Sequence, residues 1–103
     1  MTDKKQEPKT ELEVDETINL TFPVEHDEKM ITKLSMRRPN VRDHIWLDHQ
    51  EKASKKNGET FGDFEKDATL YARLCDVDIS IVQSLDMKDW GKLRERYLTC
   101  VGS

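Results

Sequence analysis

The amino-acid sequence predicts a small α+β fold, an N-terminal β-hairpin followed by three to four short helices packed on it. Two early segments alternate apolar and polar residues, and the segments after residue 40 space their apolar residues as helices do. Strands therefore precede helices instead of alternating with them, which is typical of the α+β class. At 103 residues and 35% apolar composition, the chain is expected to build one modest core. We expect a single small domain over residues 17–103.

The first segment, residues 1–16, has a different composition from the rest. It carries six acidic residues and three lysines, with few apolar side chains among them. Such a segment buries too little surface to offset the entropy lost on ordering. The sequence predicts a disordered acidic tail here.

The hairpin is predicted from two alternating runs. The first places one apolar set on a single face: Ile18, Leu20, Phe22 and Val24. The second places another set on one face: Met30, Thr32, Leu34 and Met36. The polar residues 26–29 between them indicate a four-residue turn. Two strands alone are marginal in water, so downstream helices must cover the apolar face.

The first predicted helix spans residues 41–52. Asn40 and Asp43 have the spacing of an N-cap and an acidic first turn. An apolar stripe is expected at Val41, Ile45 and His49, broadened by Trp46 and Leu47. The polar residues 53–59 include Asn-Gly, which predicts a loop.

The second predicted helix begins at Thr60 and has the clearest core stripe. Its members are Phe61, Phe64, Ala68, Tyr71, Ala72 and Cys75. Residues 77–85 predict one or two capped turns. A last helix, opened by Asp86 and Asp89, is expected to bury Trp90, Leu93, Tyr97 and Val101.

No set of residues has the composition and spacing of an active site. His44 and His49 are about 140° apart around a helix, so they cannot share a metal ion as an i, i+4 pair could. Cys75 and Cys100 lie in no CxxC or Cys/His spacing and are expected to be reduced. The longest uncharged run is too short to span a membrane. The sequence therefore predicts a non-enzymatic, cytoplasmic binding protein without catalytic residues, metal site or cofactor.

Nucleic-acid binding is an alternative that rests on two basic groups. These are Lys33, Arg37, Arg38 and Arg42, and Lys88, Lys92, Arg94 and Arg96. Acidic residues are interleaved with both groups, and the net charge of the chain is −4. This arrangement argues against an extended basic surface for phosphate contacts.

Two phrases of the sequence resemble the tail assembly chaperone family of contractile-tailed, Mu-like bacteriophages. The first is Leu-x-x-Arg-x-Pro-x-x-x-Asp, present as Leu34, Arg37, Pro39 and Asp43. The second is Leu-Ser-x-x-Asp-aromatic, present as Leu85, Asp86, Asp89 and Trp90. The similarity covers residues 17–101. Asp86 stands in place of the serine of the second phrase, Asp76 stands where the family commonly has glycine, and Ile79 stands where it commonly has proline.

The resemblance implies a chaperone that binds the tape measure protein and keeps this long helical chain soluble while the tail tube assembles. It also implies a longer form of the chain made by ribosomal frameshifting. The expected location is the host cytoplasm, with the chaperone absent from the mature virion. A structural tail or adaptor subunit that stays in the virion is the alternative, and self-association remains open.

A groove for apolar helical stripes would use apolar residues that lie off the predicted core stripes. Five positions meet this description: Ile31, Trp46, Leu47, Leu70 and Leu98. We expect some of them to bind the partner.

Overall fold

The computed structural model describes residues 16–102 and has the predicted α+β architecture. A two-stranded antiparallel sheet, β1 (Glu16–His26) and β2 (Lys29–Met36), precedes four helices. The helices are α1 (Val41–Lys56), α2 (Asp63–Cys75), α3 (Ile79–Gln83) and α4 (Met87–Gly102). The predicted acidic tail lies outside the described residues except for Glu16, which begins β1 instead of ending the tail.

The hairpin turn is shorter than predicted. It consists of Asp27 and Glu28 alone, with φ values of 52° and 65°, so both residues adopt the left-handed conformation. Positive φ at both central residues defines the type I′ turn, whose twist suits paired strands. The sequence lacks the Asn-Gly or Asp-Gly signal for this turn, which explains why a four-residue loop was predicted.

A wide bulge interrupts the pairing of β1. Asn19 pairs with Lys33 and Val24 pairs with Ile31, so residues 20–23 of β1 lie opposite Thr32 alone. Strand β1 thus has three extra residues, an odd number. The inward face of β2 therefore changes from the even positions Leu34 and Met36 to the odd position Ile31 across the bulge.

The bulge corrects the predicted faces of both strands. Ile18, Leu20 and Val24 are buried as expected, but Phe22 is 52% exposed. On β2, Leu34 and Met36 are buried, whereas Met30 is exposed and Ile31 packs partly against the core. The predicted faces are wrong here because a period-two pattern in the sequence does not show where extra residues interrupt the strand pairing.

Helix α1 is longer than predicted and faces another way. Asn40 caps it, and Asp43 completes a reciprocal capping box, as the spacing indicated. The helix continues to Lys56, so most of the predicted loop 53–59 is helical. Val41 is 75% exposed and Ile45 is exposed as well, so the predicted stripe is wrong. The buried residues are Asp43 and Leu47.

Helix α2 supplies the centre of the core. It starts at Asp63 instead of Thr60, with Gly62 at the N-cap and its amide bonded to the Glu65 carboxylate. The predicted stripe is confirmed at Ala68, Tyr71, Ala72 and Cys75. Phe64 is exposed and Phe61 is half-buried. The helix ends in left-handed Asp76, the conformation that explains why glycine would be favourable there.

The last two helices complete the core, because α3 packs on α2 and α4 packs on both strands. Helix α3 is one short turn capped by Asp78, as predicted. On α4, Trp90 and Leu93 are buried and Tyr97 is partly buried, but Cys100 takes the inward place expected for Val101, which is 50% exposed. Cys75 and Cys100 are both buried thiols. Residues from both strands and all four helices share one apolar cluster.

Candidate partner-binding surface

The aspartate of the first family phrase, Asp43, anchors the hairpin exit to two helices. Its carboxylate is 1% exposed and accepts both terminal nitrogens of Arg37, at 2.9 and 2.7 Å. It also accepts the Arg73 Nε at 2.8 Å and the Asn40 amide at 2.8 Å. The hydrogen bonds from Arg37 hold the pKa of Asp43 well below its usual range, and those from Arg73 and Asn40 act in the same direction against the opposing effect of burial.

The same network positions an aromatic side chain at the surface. The Arg73 guanidinium, held by Asp43, lies 4.6 Å from the centroid of the Trp46 ring. A cation over an indole face at this distance is attracted by the ring electrons. Asp43 therefore orients Trp46 through Arg73, and Trp46 remains half-buried at the α1 surface.

The aspartate of the second phrase, Asp89, is fully buried and satisfies the β1 bulge. Its two carboxylate oxygens accept the consecutive amides of Thr21 and Phe22, at 2.8 and 2.9 Å. Lys92 Nζ lies 3.4 Å from the same carboxylate and donates to the Asn19 carbonyl at 2.8 Å. Burial by itself would raise the pKa of Asp89, but these donors outweigh it, so the pKa is lowered.

The aspartates of both phrases thus have structural roles. The prediction that Asp89 caps α4 together with Asp86 is wrong for Asp89, because its carboxylate accepts the amides of β1 instead. Asp86 provides the cap by accepting the Lys88 amide at 2.9 Å. Between residues 16 and 102, no group of three or more His, Cys, Asp or Glu side chains is placed to hold a metal ion.

An open groove of about 760 Å³ runs between α1 and α2. One wall is a row of α1 residues four apart, Trp46, Gln50 and Ser54. The other wall is a face of α2, and Phe61 and the residues around α3 close the ends. The remaining lining residues are Phe61, Thr69, Ala72, Arg73, Asp76, Val77, Asp78 and Ile79. Because rows spaced by three and four residues are the ridges between which another helix packs, the groove has the form of a helix-binding site.

The groove has an acidic end. Asp76 and Asp78 flank Val77 there, and both are exposed. The Ser80 amide donates to the Asp78 carboxylate at 2.9 Å, and this hydrogen bond lowers the pKa of Asp78. Arg73, the cation of the lining, is already bound to Asp43.

A second, smaller apolar cleft lies between α2, α3 and the start of α4. Phe64 and Met87 flank it and are 63% and 65% exposed, and Trp90 forms part of its floor with its ring 5.6 Å from that of Phe64. Its volume is about 210 Å³, so it is suited to a single side chain more than to a helix. The cleft shares no lining residue with the groove.

The five sequence-predicted binding residues are not brought together. Trp46 lines the groove, Ile31 lies on β2 partly packed on the core, and Leu98 is 50% exposed on α4. Leu47 and Leu70 are 7% and 2% exposed. The expectation that these two leucines lie off the core is wrong, because each faces inward from its helix.

Sequence reasoning missed most of the groove. Phe61 and Ala72 were assigned to the core stripe, and Val77 and Ile79 to a connecting turn. Gln50 and Ser54 carry no apolar signal at all. The groove depends on two helices and a loop that meet only in the folded chain, so no local pattern marks it.

Four of the eight basic residues considered for nucleic-acid binding contact other parts of the fold through their side chains. Arg37 binds Asp43, and Arg38 donates to the Cys100 carbonyl at 3.3 Å. Lys92 contacts β1, and Arg96 donates to the Met36 carbonyl at 3.3 Å. Four of the eight predicted cations are therefore held by contacts within the fold.

Comparison with known proteins identifies the family. Residues 17–101 match the family model described as phage tail assembly chaperone proteins, E, or 41 or 14. No curated protein and no solved structure matches the chain. None of the helices between residues 16 and 102 is long and apolar enough to cross a bilayer. The family match covers most of the chain and includes both aspartate phrases, so the chain belongs to the phage tail assembly chaperone family.

Proposed function

We propose that this chaperone binds the tape measure protein of its phage in the groove between α1 and α2 and keeps it soluble until the tail tube encloses it. The observation that supports this proposal is the groove itself. It lies between two helices and contains four half-buried apolar residues, Trp46, Phe61, Val77 and Ile79. Together with family membership, this surface suits a long helical chain that displays apolar stripes before assembly.

Binding of this kind is transient, and the chaperone acts in the host cytoplasm and leaves before the virion is complete. Apolar contacts supply the affinity, and Trp46 is the central anchor because large aromatic residues dominate the energetics of interfaces. Ile31 and Leu98 lie outside the groove and would contribute at its margin only if the bound chain extends past it. Leu47 and Leu70 would act indirectly, through the core that supports the groove.

The first test is co-expression with the tape measure protein encoded beside it, followed by a pull-down and a measurement of tape measure solubility. The wild-type chain should co-purify with the tape measure protein and raise its soluble fraction. Trp46→Ala should lower the affinity about tenfold or more, because a buried aromatic contact is lost. Ser54→Tyr adds a large side chain to half-buried Ser54 on the groove wall, so it should weaken binding without removing any core atom.

Ile45→Ala is the matched control, because Ile45 neighbours Trp46 in sequence, is exposed and does not line the groove. It should bind as the wild type does. If Trp46→Ala and Ser54→Tyr bind normally while Phe64→Ser with Met87→Ser abolishes binding, the apolar cleft is the site and the groove is not. Recovery of the chain from purified virions would favour a structural tail subunit instead.

A further inference from the structure

We infer that the groove selects a helix with a basic end, that is, an amphipathic segment whose apolar stripe has Lys or Arg beside it at the end facing Asp76 and Asp78. This inference rests on the proposed function, because it names the chemistry of the tape measure segment that the groove accepts. The basic end determines which part of the long tape measure chain binds.

The first step is that the occupant is a helix. The lining residues come from α1, α2, α3 and their connections, and neither β1 nor β2 contributes one. An extended peptide added to a sheet needs a strand edge with free amides, so the groove does not offer that mode of binding. A row such as Trp46, Gln50 and Ser54 instead matches the ridges of a packed helix.

The second step is that the apolar contacts set the stripe of that helix. Trp46, Phe61, Val77 and Ile79 are half-buried and partly open to solvent. Residues of the occupant at positions i, i+3 or i+4, and i+7 would meet them from one face. Many segments of a helical chain satisfy this requirement, so the apolar contacts alone give little selectivity.

The third step is that charge supplies the selectivity. Asp76 and Asp78 lie at one end of the groove, two residues apart, and both carboxylates are accessible. Arg73, the cation of the lining, is bonded to Asp43 and stacked on Trp46, so its guanidinium is held by two residues of α1. An Asp or Glu side chain of the bound helix would be repelled at this end, whereas Lys or Arg would be attracted.

The two aspartates also hold backbone positions that a neutral variant can keep. Asp76 is left-handed with φ of 57°, and Asp78 caps α3. Asparagine tolerates the left-handed conformation and caps helices as aspartate does. Asp76→Asn with Asp78→Asn therefore removes two charges from the groove while preserving the local fold.

The test uses synthetic peptides that tile the tape measure protein, titrated against the full-length chaperone. We expect the tightest peptides to combine an apolar stripe with Lys or Arg at one end. The Asp76→Asn, Asp78→Asn variant should bind them about fivefold more weakly at low salt, and its affinity should depend less on salt than that of the wild type.

The matched control is Asp27→Asn with Asp63→Asn, which removes the same number of charges from exposed sites that do not line the groove. It should bind within twofold of the wild type. If Trp46→Ala abolishes binding but the Asp76, Asp78 variant matches this control, the charge inference is wrong and the proposed function stands. If no tape measure peptide binds the wild type, both fail together.

Discussion

At the scale of single residues, the two buried aspartates determine how the strands meet the helices. Asp43 joins the end of β2 to α1 and α2 through Arg37 and Arg73, and Asp89 joins α4 to the β1 bulge through the amides of Thr21 and Phe22. A buried carboxylate is tolerated only when its oxygens are satisfied. Both aspartates meet that condition by accepting several hydrogen bonds, and both fall within the family phrases.

The first prediction concerns Asp89→Asn, which should lower the free energy of unfolding by about 2–3 kcal/mol. An asparagine keeps the shape but replaces one carboxylate oxygen by an NH₂ group. That group would face a strand amide, so one buried donor loses its acceptor, and the attraction to Lys92 disappears. Urea unfolding at neutral pH measures the change.

Asp86→Asn is the control for this prediction, because Asp86 is exposed and asparagine can still cap α4. Its stability should stay within about 0.5 kcal/mol of the wild type. A similarly small effect for Asp89→Asn would mean that the bulge amides find other acceptors, and the anchoring role would be rejected.

At the scale of elements, the sequence was sufficient for the order and type of each element but not for every face. The α2 stripe was correct because Ala68, Tyr71 and Cys75 follow the helical period. The α1 stripe was wrong because charged Asp43 points inward while apolar Val41 points outward, and a hydrophobicity pattern cannot anticipate a buried ion network. The predicted faces of β1 are wrong at the bulge, where the amides of Thr21 and Phe22 donate to Asp89 instead of to β2.

The second prediction uses two glycines with opposite backbone requirements. Gly91 is helical and exposed, and a β-carbon there would meet no atom within 4 Å, so Gly91→Ala should stabilise the protein by about 0.5–1 kcal/mol. Gly58 has φ of 81° after α1, so Gly58→Ala should destabilise it by about 1–2 kcal/mol. Thermal unfolding of both variants checks the pair. Two shifts of the same sign would contradict this assignment of backbone roles.

At the scale of the whole molecule, the fold and the candidate site differ in how far the sequence predicts them. The hairpin and helices follow from local periodicity, which is why the α+β class was recovered. The groove forms where α1 and α2 pack together. Asp43, Arg73 and Trp46 contact one another there, although they are up to 30 residues apart in the sequence. A site built by such distant contacts leaves a single trace in the sequence, the tryptophan at position 46, which lies off the predicted core stripe.

The last prediction follows from the lowered pKa values of Asp43 and Asp89, which act on stability together. A carboxylate whose pKa is lower in the folded state binds fewer protons there than in the unfolded chain, so it stabilises the fold above the unfolded pKa of about 3.9. This contribution is lost as the pH falls through the folded pKa. We therefore expect the free energy of unfolding to fall steadily from about pH 5 to the most acidic pH at which the protein remains folded.

Urea unfolding at several pH values should show this slope in the wild type and a shallower slope in Asp43→Asn. This variant is less stable at neutral pH but has one fewer group to protonate. Equal slopes in the two proteins would show that Asp43 does not carry the acid sensitivity. The sensitivity would then be assigned to Asp89 and to two further carboxylates whose pKa is also lowered, half-buried Glu51 and exposed Asp78.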